Sequence, residues 1–356
     1  MTRTWTYAEV CAALASPQAA AGEAMVHVGT SGSTGTPKIA RLTAHALTAS
    51  ARATLEVLGG PGQWLLATPA THIAGIQVLV RSAVAGIEPV VGAPGPFTPA
   101  QFAQDTASLS HERRYCALVP TQVARLLDDP DGRAALATYD AVLVGGAPIA
   151  PALREDAAAA GARLIATYGM SETAGGCVYD GVPLPVARMR IADPDEHGVG
   201  VVELGGATLA EGYADRPEQT RAAFRTEPDG SRWFRSDDLG RIEDGVLSVL
   251  GRRDDVINSG GLKVSPHVVE AAVAEAFPDL AGRSVVIATP HPQWGEAVTL
   301  VVAGSPPPEL DVVREAVSAY LVRAALPTRV VATDQIPLLG PGKADRRTLR
   351  AQICRK

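Results

Sequence analysis

The stretch Thr30-Ser31-Gly32-Ser33-Thr34-Gly35-Thr36-Pro37-Lys38 follows a short apolar run, Met25–Val28, which predicts a buried strand. Its glycines let backbone N–H groups converge on an anion, its hydroxyls add donors, and Lys38 adds a positive charge. The stretch differs from a Walker A loop, in which the lysine directly follows a glycine, because Thr36 and Pro37 intervene. A flexible Gly/Ser turn is the simpler interpretation. A linker, however, has no need of a closing Pro-Lys and a second apolar strand, so we predict a polyphosphate-binding loop.

Length and composition indicate a folded globular chain whose main partner is not nucleic acid. At 356 residues the chain can bury a full core and predicts two domains. Hydrophobic residues at 46% and charged residues at 20% are ordinary globular values, which argues against general disorder. A net charge of −6 disfavours nucleic acid, so an anionic ligand has to be held by a local cluster of positive charge.

The N-terminus and the cysteines indicate a soluble, cytoplasmic protein. No basic region followed by an apolar core marks a secretion signal, and no apolar run reaches membrane-spanning length. The cysteines are Cys11, Cys116, Cys177 and Cys354. They lie far apart and lack metal-ligand spacing, so we interpret them as scattered reduced thiols.

Strand and helix patterns alternate through the first half of the chain, with a capping box at Thr6 and Glu9 and a predicted N-cap at Thr43. Strands are predicted at Met25–Val28, Lys38–Leu42, Trp64–Thr68, Glu88–Val91, Tyr115–Val119, Ala141–Val144 and Arg163–Thr167. Helices are predicted at Tyr7–Leu14, Ala44–Leu58, Ile73–Val84, Pro99–Ser108, Gln122–Leu127 and Pro151–Ala160. Such alternation predicts an α/β fold with a largely parallel sheet covered by helices.

The pattern changes after Gly181, where short strands and an Asp244-Gly245 turn predict a small β-rich part. A second unit begins near Gly251, in which Ser265-Pro266 is expected to cap and open a helix. Further elements of this unit are a helix over Glu309–Ala325 and strands over Ser284–Ala288, Ala297–Val302 and Arg329–Thr333. We therefore predict a large α/β N-terminal domain over residues 1–250 and a small mobile α+β C-terminal domain over residues 251–356.

Polar residues follow two of the predicted parallel strands and should share one edge of the sheet. Gly145-Gly146-Ala147-Pro148 follows one strand, and Tyr168-Gly169-Met170-Ser171-Glu172-Thr173 follows the next. The glycines permit close approach by a flat base, and Tyr168 offers a stacking face. Ser171 offers a hydroxyl and Glu172 a hard oxygen ligand for magnesium. We expect a nucleotide site at this edge.

Three later stretches carry further candidates. Asp237-Asp238 could accept hydrogen bonds from ribose hydroxyls, and Gly251-Arg252-Arg253-Asp254 follows closely after them. Near the C-terminus, Gly340-Pro341-Gly342-Lys343 places one lysine in a Gly/Pro loop. Plainer interpretations exist for each: a surface ion pair for Arg252, an exposed turn for Asp254, and a solvated tail lysine for Lys343.

This ordered set of stretches resembles the adenylate-forming superfamily of acyl- and aryl-CoA synthetases, carrier-domain adenylation enzymes and luciferases. The matching motifs are Thr-Ser-Gly-Ser-Thr-Gly-x-Pro-Lys, Tyr-Gly-x-[Ser/Thr]-Glu, [Ser/Thr]-x-Asp-Leu-Gly, Gly-Arg-x-Asp and a C-terminal Gly-Lys. Each motif is modest alone, but together they stand in the family's order from residue 30 to residue 343. The resemblance implies ATP, Mg²⁺ and coenzyme A as cofactors and substrates, with a carboxylic acid as the partner substrate.

The resemblance also implies a role for each matching residue. The loop from Thr30 to Gly35 together with Lys38 would hold the β- and γ-phosphates, and Glu172 would bind Mg²⁺. Tyr168 would stack on adenine beside Gly146 and Ala147, while Asp238 and Arg252 would hold the ribose. Ser171, where threonine is commoner, would touch the α-phosphate, and Lys343 would bridge the carboxylate and the α-phosphate. Asp254 would be the hinge of the C-terminal domain, and Asp237 replaces the family's usual glycine.

A second segment narrows the acid. Pro69-Ala70-Thr71-His72-Ile73-Ala74-Gly75-Ile76-Gln77-Val78-Leu79-Val80-Arg81 is similar to the acyl-pocket segment of the short o-succinylbenzoate–CoA ligases of menaquinone biosynthesis. Their substrate keeps one carboxylate that does not react, and a pocket for it needs a polar or cationic group in place of water. His72, Gln77 and Arg81 are the candidates. The plainer interpretations are a core histidine for His72 and a solvent-facing helix residue for Arg81.

Other functions stay open at this point. The chain could ligate CoA to a different aryl or short acyl acid, or load a carrier protein although no carrier domain follows. It could also be a catalytically dead nucleotide-binding protein, but Lys38, Glu172, Asp238 and Lys343 are all present. Typical family members carry a longer region ahead of the phosphate loop, and we expect a homodimer to cover the surface that this region leaves.

Overall fold

The computed structural model describes residues 3–30, 38–280, 282–304, 306–339 and 343–355, with the backbone only for Leu339 and Lys343. The helices of these residues are α1 (Tyr7–Leu14), α2 (Pro17–Ala20), α3 (Ala44–Val57), α4 (Ile73–Ala85), α5 (Pro99–Ala107), α6 (Pro120–Leu127), α7 (Pro130–Leu136), α8 (Pro151–Ala159), α9 (Pro217–Ala223), α10 (Pro266–Ala276), α11 (Leu310–Val317) and α12 (Arg346–Ile353). Short 3₁₀ turns span Ser171–Thr173, Arg253–Asp255, Pro278–Leu280 and Arg323–Ala325. No helix among the described residues has both the length and the apolar character needed to cross a bilayer.

The strands of the first 250 residues account for three sheets. They are β1 (Ala24–Gly29), β2 (Ile39–Thr43), β3 (Gln63–Leu66), β4 (Val90–Val91), β5 (Arg114–Leu118), β6 (Ala141–Val144), β7 (Leu164–Met170), β8 (Gly175–Tyr179), β9 (Val182–Pro183), β10 (Ala187–Ala192), β11 (Gly200–Gly206), β12 (Gly212–Tyr213), β13 (Phe224–Thr226), β14 (Arg232–Glu243) and β15 (Val246–Arg252). The remaining strands are β16 (Ile257–Ser259), β17 (Leu262–Val264), β18 (Ser284–His291), β19 (Gly295–Ala303), β20 (Arg329–Thr333), β21 (Leu338–Leu339) and β22 (Lys343–Ala344).

The central sheet has the order β4-β3-β5-β6-β7-β8-β9. Its strands from β4 to β7 are parallel, whereas β8 and β9 add on in antiparallel register. Helices between the parallel strands cover it, and Trp64 on β3 and Tyr115 on β5 are fully buried. The predicted parallel α/β sheet is therefore confirmed, and the carboxyl ends of β6 and β7 lie side by side.

Two antiparallel sheets flank the central one. Strands β1, β2 and β12 form a small sheet that brackets the phosphate-loop stretch. Strands β10, β11, β14 and β13 follow in that order, with β15 also paired to β14 through the predicted Asp244-Gly245 turn. This is the β-rich part that the sequence predicts after Gly181.

The C-terminal residues build a sheet and a core of their own. Strands β17, β16, β19 and β18 pair antiparallel, and β20 joins β19 in parallel. Helices α10 and α11 cover one face of this sheet, and α12 packs Leu349 and Ile353 against Val285, Ile287 and Val301. The architecture is the α+β arrangement that the alternation of elements after Gly251 indicates.

Local capping explains where several helices start. Thr6 and Glu9 form the predicted capping box of α1, and the Thr43 hydroxyl accepts a hydrogen bond from the Ala46 N–H at the start of α3. Ser265 stands at the N-cap of α10 as predicted, but its side chain does not cap the helix. Its hydroxyl donates instead to the Leu250 carbonyl, so it ties the start of the helix to strand β15.

The prediction of one helix over Glu309–Ala325 is wrong. Val313, Val317, Leu321 and Ala325 do all face the core at a spacing of four, which is why the pattern looked helical. Helix α11 nevertheless ends at Val317, because the Ser318 hydroxyl donates to the Glu315 carbonyl and its N–H closes a tighter turn onto the same oxygen. The chain then reaches Ala325 through a 3₁₀ turn.

Candidate active site

The phosphate-loop stretch is described only at its two ends. Ser31, Gly32, Ser33, Thr34 and Gly35, which we predicted to bind phosphate, lie outside the described residues together with Thr36 and Pro37. The Thr30 N–H donates to the Lys38 carbonyl at 2.8 Å, which closes the neck of the loop between β1 and β2. The predicted binding role of the loop therefore stays a prediction, and its neck is fixed in place.

Lys38, Tyr213 and Glu172 form a cluster at this neck. The Lys38 ammonium lies 4.9 Å from the centre of the Tyr213 ring, and the Tyr213 hydroxyl donates to Glu172 Oε1 at 2.8 Å. Burial raises the pKa of Glu172, although the Tyr213 hydrogen bond and the Lys38 charge act in the opposite direction. A carboxylate held beside a lysine at the mouth of a phosphate loop is what a magnesium–polyphosphate needs.

No group of three or more metal-binding side chains occurs among the described residues. Mg²⁺ often takes only one or two carboxylates from a protein and fills its other positions with phosphate oxygens and water. Glu172 fits that mode, because it is one hard oxygen donor with no competing ligand cluster.

Ser171 joins the same cluster from the central sheet. Its hydroxyl donates to the Gly29 carbonyl at 3.2 Å, which connects the end of β7 to the end of β1. Thr173 holds the turn, since its hydroxyl accepts from the Met170 N–H at 3.0 Å and donates to the Gly175 carbonyl at 2.8 Å. The structure thus brings Ser171 and Glu172 to the neck of the phosphate loop across more than 130 residues of sequence.

Tyr168 and Asp238 meet at the carboxyl end of β7. The Tyr168 hydroxyl donates to Asp238 Oδ2 at 2.8 Å. Burial, together with the charge of Asp238, raises the pKa of Tyr168, so the phenol remains a neutral donor. Gly146 and Ala147 follow the neighbouring strand β6, and Gly146 has a φ of 84°, a left-handed conformation that favours glycine. These residues occupy the edge where the nucleotide site was predicted.

Arg252 is held in a fixed orientation beside this edge. It faces Asp238 across the β14–β15 pair, and its guanidinium grips Asp254 with bonds of 2.7 and 2.9 Å. It also contacts Asp237 at 3.4 Å, so the aspartate that departs from the family motif has a partner here. The predicted ion pair of Arg252 is present, with the Arg252 side chain 18% exposed and its partners Asp254 and Asp237 41% and 50% exposed.

The three acyl-pocket candidates on α4 and its N-cap differ in burial. Gln77 and Arg81 are buried, at 1% and 3% exposure, whereas His72 is exposed at the N-cap and makes no side-chain cap bond. Gln77 Nε2 donates to the Ala174 carbonyl at 2.8 Å, and its Oε1 has no hydrogen-bond partner among the described residues. The core-histidine interpretation of His72 is therefore wrong, and its pocket role stays a prediction.

Arg81 is a buried cation for which the described part of the chain provides no carboxylate partner. Its guanidinium donates to the Tyr179 hydroxyl at 3.3 Å and lies 4.9 Å from the centre of the Trp64 ring. Its Nε has no partner, and no carboxylate of the described residues forms an ion pair with it. Burial lowers the pKa of this guanidinium. The solvent-facing interpretation of Arg81 is wrong, and the arrangement suits an anionic group brought by a ligand.

Lys343 is described by its backbone. It pairs with Leu339 in the β21–β22 hairpin, directly ahead of α12. Its catalytic role therefore stays a prediction.

Sequence reasoning missed two tyrosines that shape the site. Tyr213 orients Glu172, and Tyr179 bonds both Arg81 and, at 2.9 Å, the Thr54 hydroxyl. Aromatic residues make up only 4% of the chain, so a tyrosine next to Gly212 was a usable signal for Tyr213. Tyr179 carried no such signal, because its partners come from distant helices.

Comparison with known proteins gives a consistent result. A family model described as AMP-binding enzyme matches residues 5–214. A probable 2-succinylbenzoate–CoA ligase of Mycobacterium tuberculosis is 45% identical over 331 residues, which cover 90% of this chain and 82% of that protein. The medium/long-chain-fatty-acid–CoA ligase FadD8 of the same species is 31% identical, covering 91% of this chain and 60% of the relative.

Solved structures agree in fold. The o-succinylbenzoate CoA synthetase MenE of Bacillus subtilis has been solved with the acyl-adenylate intermediate OSB-AMP and with ATP and magnesium ion. Both structures align with a TM-score of 0.79 and 25% identity, covering 92% of this chain and 69% and 70% of those chains. The expected resemblance to adenylate-forming enzymes and the expected fold class are confirmed.

Proposed function

Because the chain belongs to the family of AMP-binding enzymes, we propose that it is an ATP-dependent, AMP-forming acid–CoA ligase that acts on o-succinylbenzoate in menaquinone biosynthesis. The observation that carries this proposal is the 45% identity, over 90% of the chain, to a probable 2-succinylbenzoate–CoA ligase. The reaction has two steps. The acid first displaces pyrophosphate from ATP to give the acyl-adenylate, and the CoA thiol then displaces AMP to give the thioester.

The first step joins two anions, and the site supplies positive charge where they meet. Lys38 and the loop it closes hold the β- and γ-phosphates, and Ser171 contacts the α-phosphate. Lys343 places its ammonium between the carboxylate and the α-phosphate, which stabilises the charge that builds up there. Glu172 holds Mg²⁺, which neutralises the departing pyrophosphate. The cluster of Lys38, Tyr213 and Glu172 at the loop neck supports this assignment.

The nucleoside end binds along the carboxyl edge of β6 and β7. Tyr168 presents its ring to adenine beside Gly146 and Ala147, while Asp238 and Arg252 accept and donate hydrogen bonds at the ribose. The Tyr168–Asp238 hydrogen bond supports this, because it fixes both the ring plane and one carboxylate oxygen before the nucleotide arrives.

We assign the acyl pocket to Gln77 and Arg81, both buried on α4, with His72 nearer the surface at the N-cap. One carboxylate of o-succinylbenzoate reacts, and the other has to exchange its hydration for protein donors. Arg81 supports this role, since it is buried, lacks an ion-pair partner among the described residues and keeps an unused Nε–H. Tyr179 and Trp64 hold its guanidinium in one orientation.

We propose further that residues 1–250 and 251–356 are separate domains and that the second rotates about Asp254. The self-contained C-terminal core and the short 3₁₀ turn at Arg253–Asp255 support this division. Rotation lets Lys343 serve the first step and then withdraw, so that the CoA thiol can reach the adenylate.

We include a homodimer and a cytoplasmic location in the proposal. Free cysteines are consistent with the location. The dimer rests on the expectation that a subunit contact covers the surface beside the phosphate loop that a longer N-terminal region covers in typical family members. A monomer by light scattering at micromolar concentration contradicts the dimer.

The acceptor of the acyl group decides between the remaining alternatives. We expect mass spectrometry to find the acyl thioester on free CoA and none on a phosphopantetheinyl carrier protein offered in the same mixture. Transfer to the carrier protein alone makes the chain a stand-alone adenylating enzyme. Absence of adenylate with every acid revives a catalytically dead nucleotide-binding protein.

A further inference from the structure

A largely shielded ion pair links three elements of the C-terminal residues. Arg346, the first residue of α12, places its Nη2 2.7 Å from each of the two carboxylate oxygens of Glu270 on α10, and the two side chains are 12% and 18% exposed. Its Nε donates to the Val286 carbonyl at 3.2 Å, and the Val286 N–H donates back to Glu270 Oε1 at 2.8 Å. Helices α10 and α12 and strand β18 are thereby locked in one closed ring of charge-assisted hydrogen bonds.

This ring, which we call the Arg346–Glu270 clamp, also reaches the predicted hinge. A second Arg346 nitrogen lies 3.6 Å from Asp255, which directly follows the hinge candidate Asp254. His267 Nδ1 lies 3.0 Å from Glu270, and the His267 ring packs so closely on Gly251 that a Cβ there would come within 2.6 Å of it. The clamp therefore connects the hinge segment with the helix that opens the C-terminal domain.

The clamp also lies close to Lys343 in the sequence. Arg346 comes only three residues later, and three residues span at most about 10 Å even when fully extended. Between them, the Asp345 N–H donates to the Pro337 carbonyl at 2.7 Å, and the Asp345 side chain caps α12 through Thr348. A displacement of the clamp therefore displaces the backbone of Lys343 as well, because the connection between them is too short to absorb it.

The ionic state of the clamp is well defined. Burial by itself raises the pKa of Glu270, but the His267 hydrogen bond and the charges of Arg346 and His267 outweigh it and lower that pKa. Glu270 is therefore ionised at neutral pH. An ion pair shielded from solvent is a weak source of stability, because desolvation offsets most of its attraction. What the Arg346 guanidinium supplies is geometry, since its three nitrogens contact Glu270, the Val286 carbonyl and Asp255.

We propose that Glu270 and Arg346 are positioning residues for the adenylation step, which hold the Lys343 strand at a fixed offset from the hinge. This inference rests on the proposed function and adds two residues to it. Domain rotation brings the Lys343 ammonium to the carboxylate and the α-phosphate only if the structure between the hinge at Asp254 and Lys343 is rigid. A displacement near 1 Å in such a site costs about 100-fold in rate.

Separate assays of the two half-reactions test the proposal. Arg346→Lys keeps the charge but cannot contact Glu270, the Val286 carbonyl and Asp255 from three separate nitrogens, so we expect adenylate formation to fall about 30- to 100-fold in kcat, with KM for ATP changed by less than about 3-fold. Thioester formation from supplied acyl-adenylate does not use Lys343 and should stay within about 3-fold of the wild type. Arg350→Gln is the matched control, because Arg350 lies on the same helix and makes an exposed pair with Glu296 at 3.0 Å. We expect it to leave both half-reactions within about 2-fold.

Equal loss in both half-reactions, or unchanged adenylation, overturns the positioning role. If thermal unfolding shows that Arg346→Lys does not fold, Glu270→Asp carries the same test, since it keeps both charges and shortens the reach by one methylene. A wild-type enzyme that forms no adenylate with any acid refutes the proposed function instead. A wild-type enzyme that is active while both variants match it refutes only the clamp.

Discussion

The buried residue Arg81 is central to the proposed binding of the acid. Tertiary packing places its guanidinium between Trp64 and Tyr179 with no carboxylate partner among the described residues. The ligand-free protein bears the desolvation cost of that cation, and a ligand carboxylate relieves it. The residue is thus expected to favour substrate binding at the expense of stability.

Arg81→Met tests this trade-off. We expect KM for o-succinylbenzoate to rise about 10- to 100-fold, as for loss of a hydrogen bond to a charged group, while turnover of benzoate changes little. The melting temperature of the ligand-free variant should equal or exceed that of the wild type, because the Tyr179 hydroxyl keeps its bond to Thr54. Differential scanning fluorimetry and steady-state kinetics measure both quantities. An equal loss with benzoate, or a clear fall in melting temperature, contradicts the role of Arg81.

A second prediction for a single residue concerns Lys343 and the adenylation half-reaction. Lys343→Ala should lower adenylate formation by at least about 100-fold, since it removes a charge that stabilises the transition state. Thioester formation from supplied adenylate should remain mostly intact. Pyrophosphate release and single-turnover thioester assays separate the two steps. A similar loss in both steps is incompatible with the proposed role.

Motif residues were predictable one by one, whereas their neighbours were not. Tyr168, Ser171, Glu172 and Asp238 each stand in a short ordered motif, and the structure brings them to one edge of the sheets. Tyr213 and Tyr179 act through contacts with residues 41 and 98 positions away in the chain. Contacts between residues so far apart in the chain leave no pattern in the local sequence.

Among the elements, helix α4 is the one that carries both buried acyl-pocket candidates. It starts after a turn at Pro69 and packs so tightly that a Cβ on Gly75 would lie 2.4 Å from the Pro69 carbonyl oxygen. Gln77 and Arg81 then follow on its buried face. The close backbone approach at Gly75 sets the position of both side chains.

Gly75→Ala is therefore expected to destabilise the protein by about 1–3 kcal/mol, although alanine is the better helix former. The displaced helix should also raise KM for the acid. Ala74→Gly is the control, because Ala74 is exposed on the same helix and should cost about 1 kcal/mol without a change in KM. Urea unfolding and kinetics provide the two readouts. Unchanged stability and KM in Gly75→Ala contradict the packing argument.

Most elements of the fold follow from patterns in the sequence, and the exceptions have identifiable causes. Capping residues such as Thr6 and Thr43 placed helix starts correctly. The helix expected through Ala325 failed because the Ser318 hydroxyl competes for the backbone. Strand β14 runs from Arg232 to Glu243, far longer than the short strands predicted after Gly181, since its polar residues are paired with β11 and β15 on either side.

In the whole molecule, the proposed site is assembled from distant parts of the chain. The sheet of β1, β2 and β12 carries both ends of the proposed phosphate loop, the central sheet carries Tyr168 to Glu172, and β14 and β15 carry the proposed ribose contacts. Lys343 comes from the C-terminal residues, and its proposed role requires the proposed hinge and clamp. No single motif specifies the acid, which we expect to depend on the buried face of α4.

The most direct test of the central claim is pyrophosphate release with ATP and Mg²⁺ across a panel of acids. The panel contains o-succinylbenzoate, benzoate, 4-hydroxybenzoate and short and medium-chain fatty acids, each with and without CoA. We expect selective turnover of o-succinylbenzoate, with its CoA thioester as product. Preference for another acid would keep the adenylation mechanism and contradict the assignment to menaquinone biosynthesis, together with the pocket roles of His72, Gln77 and Arg81.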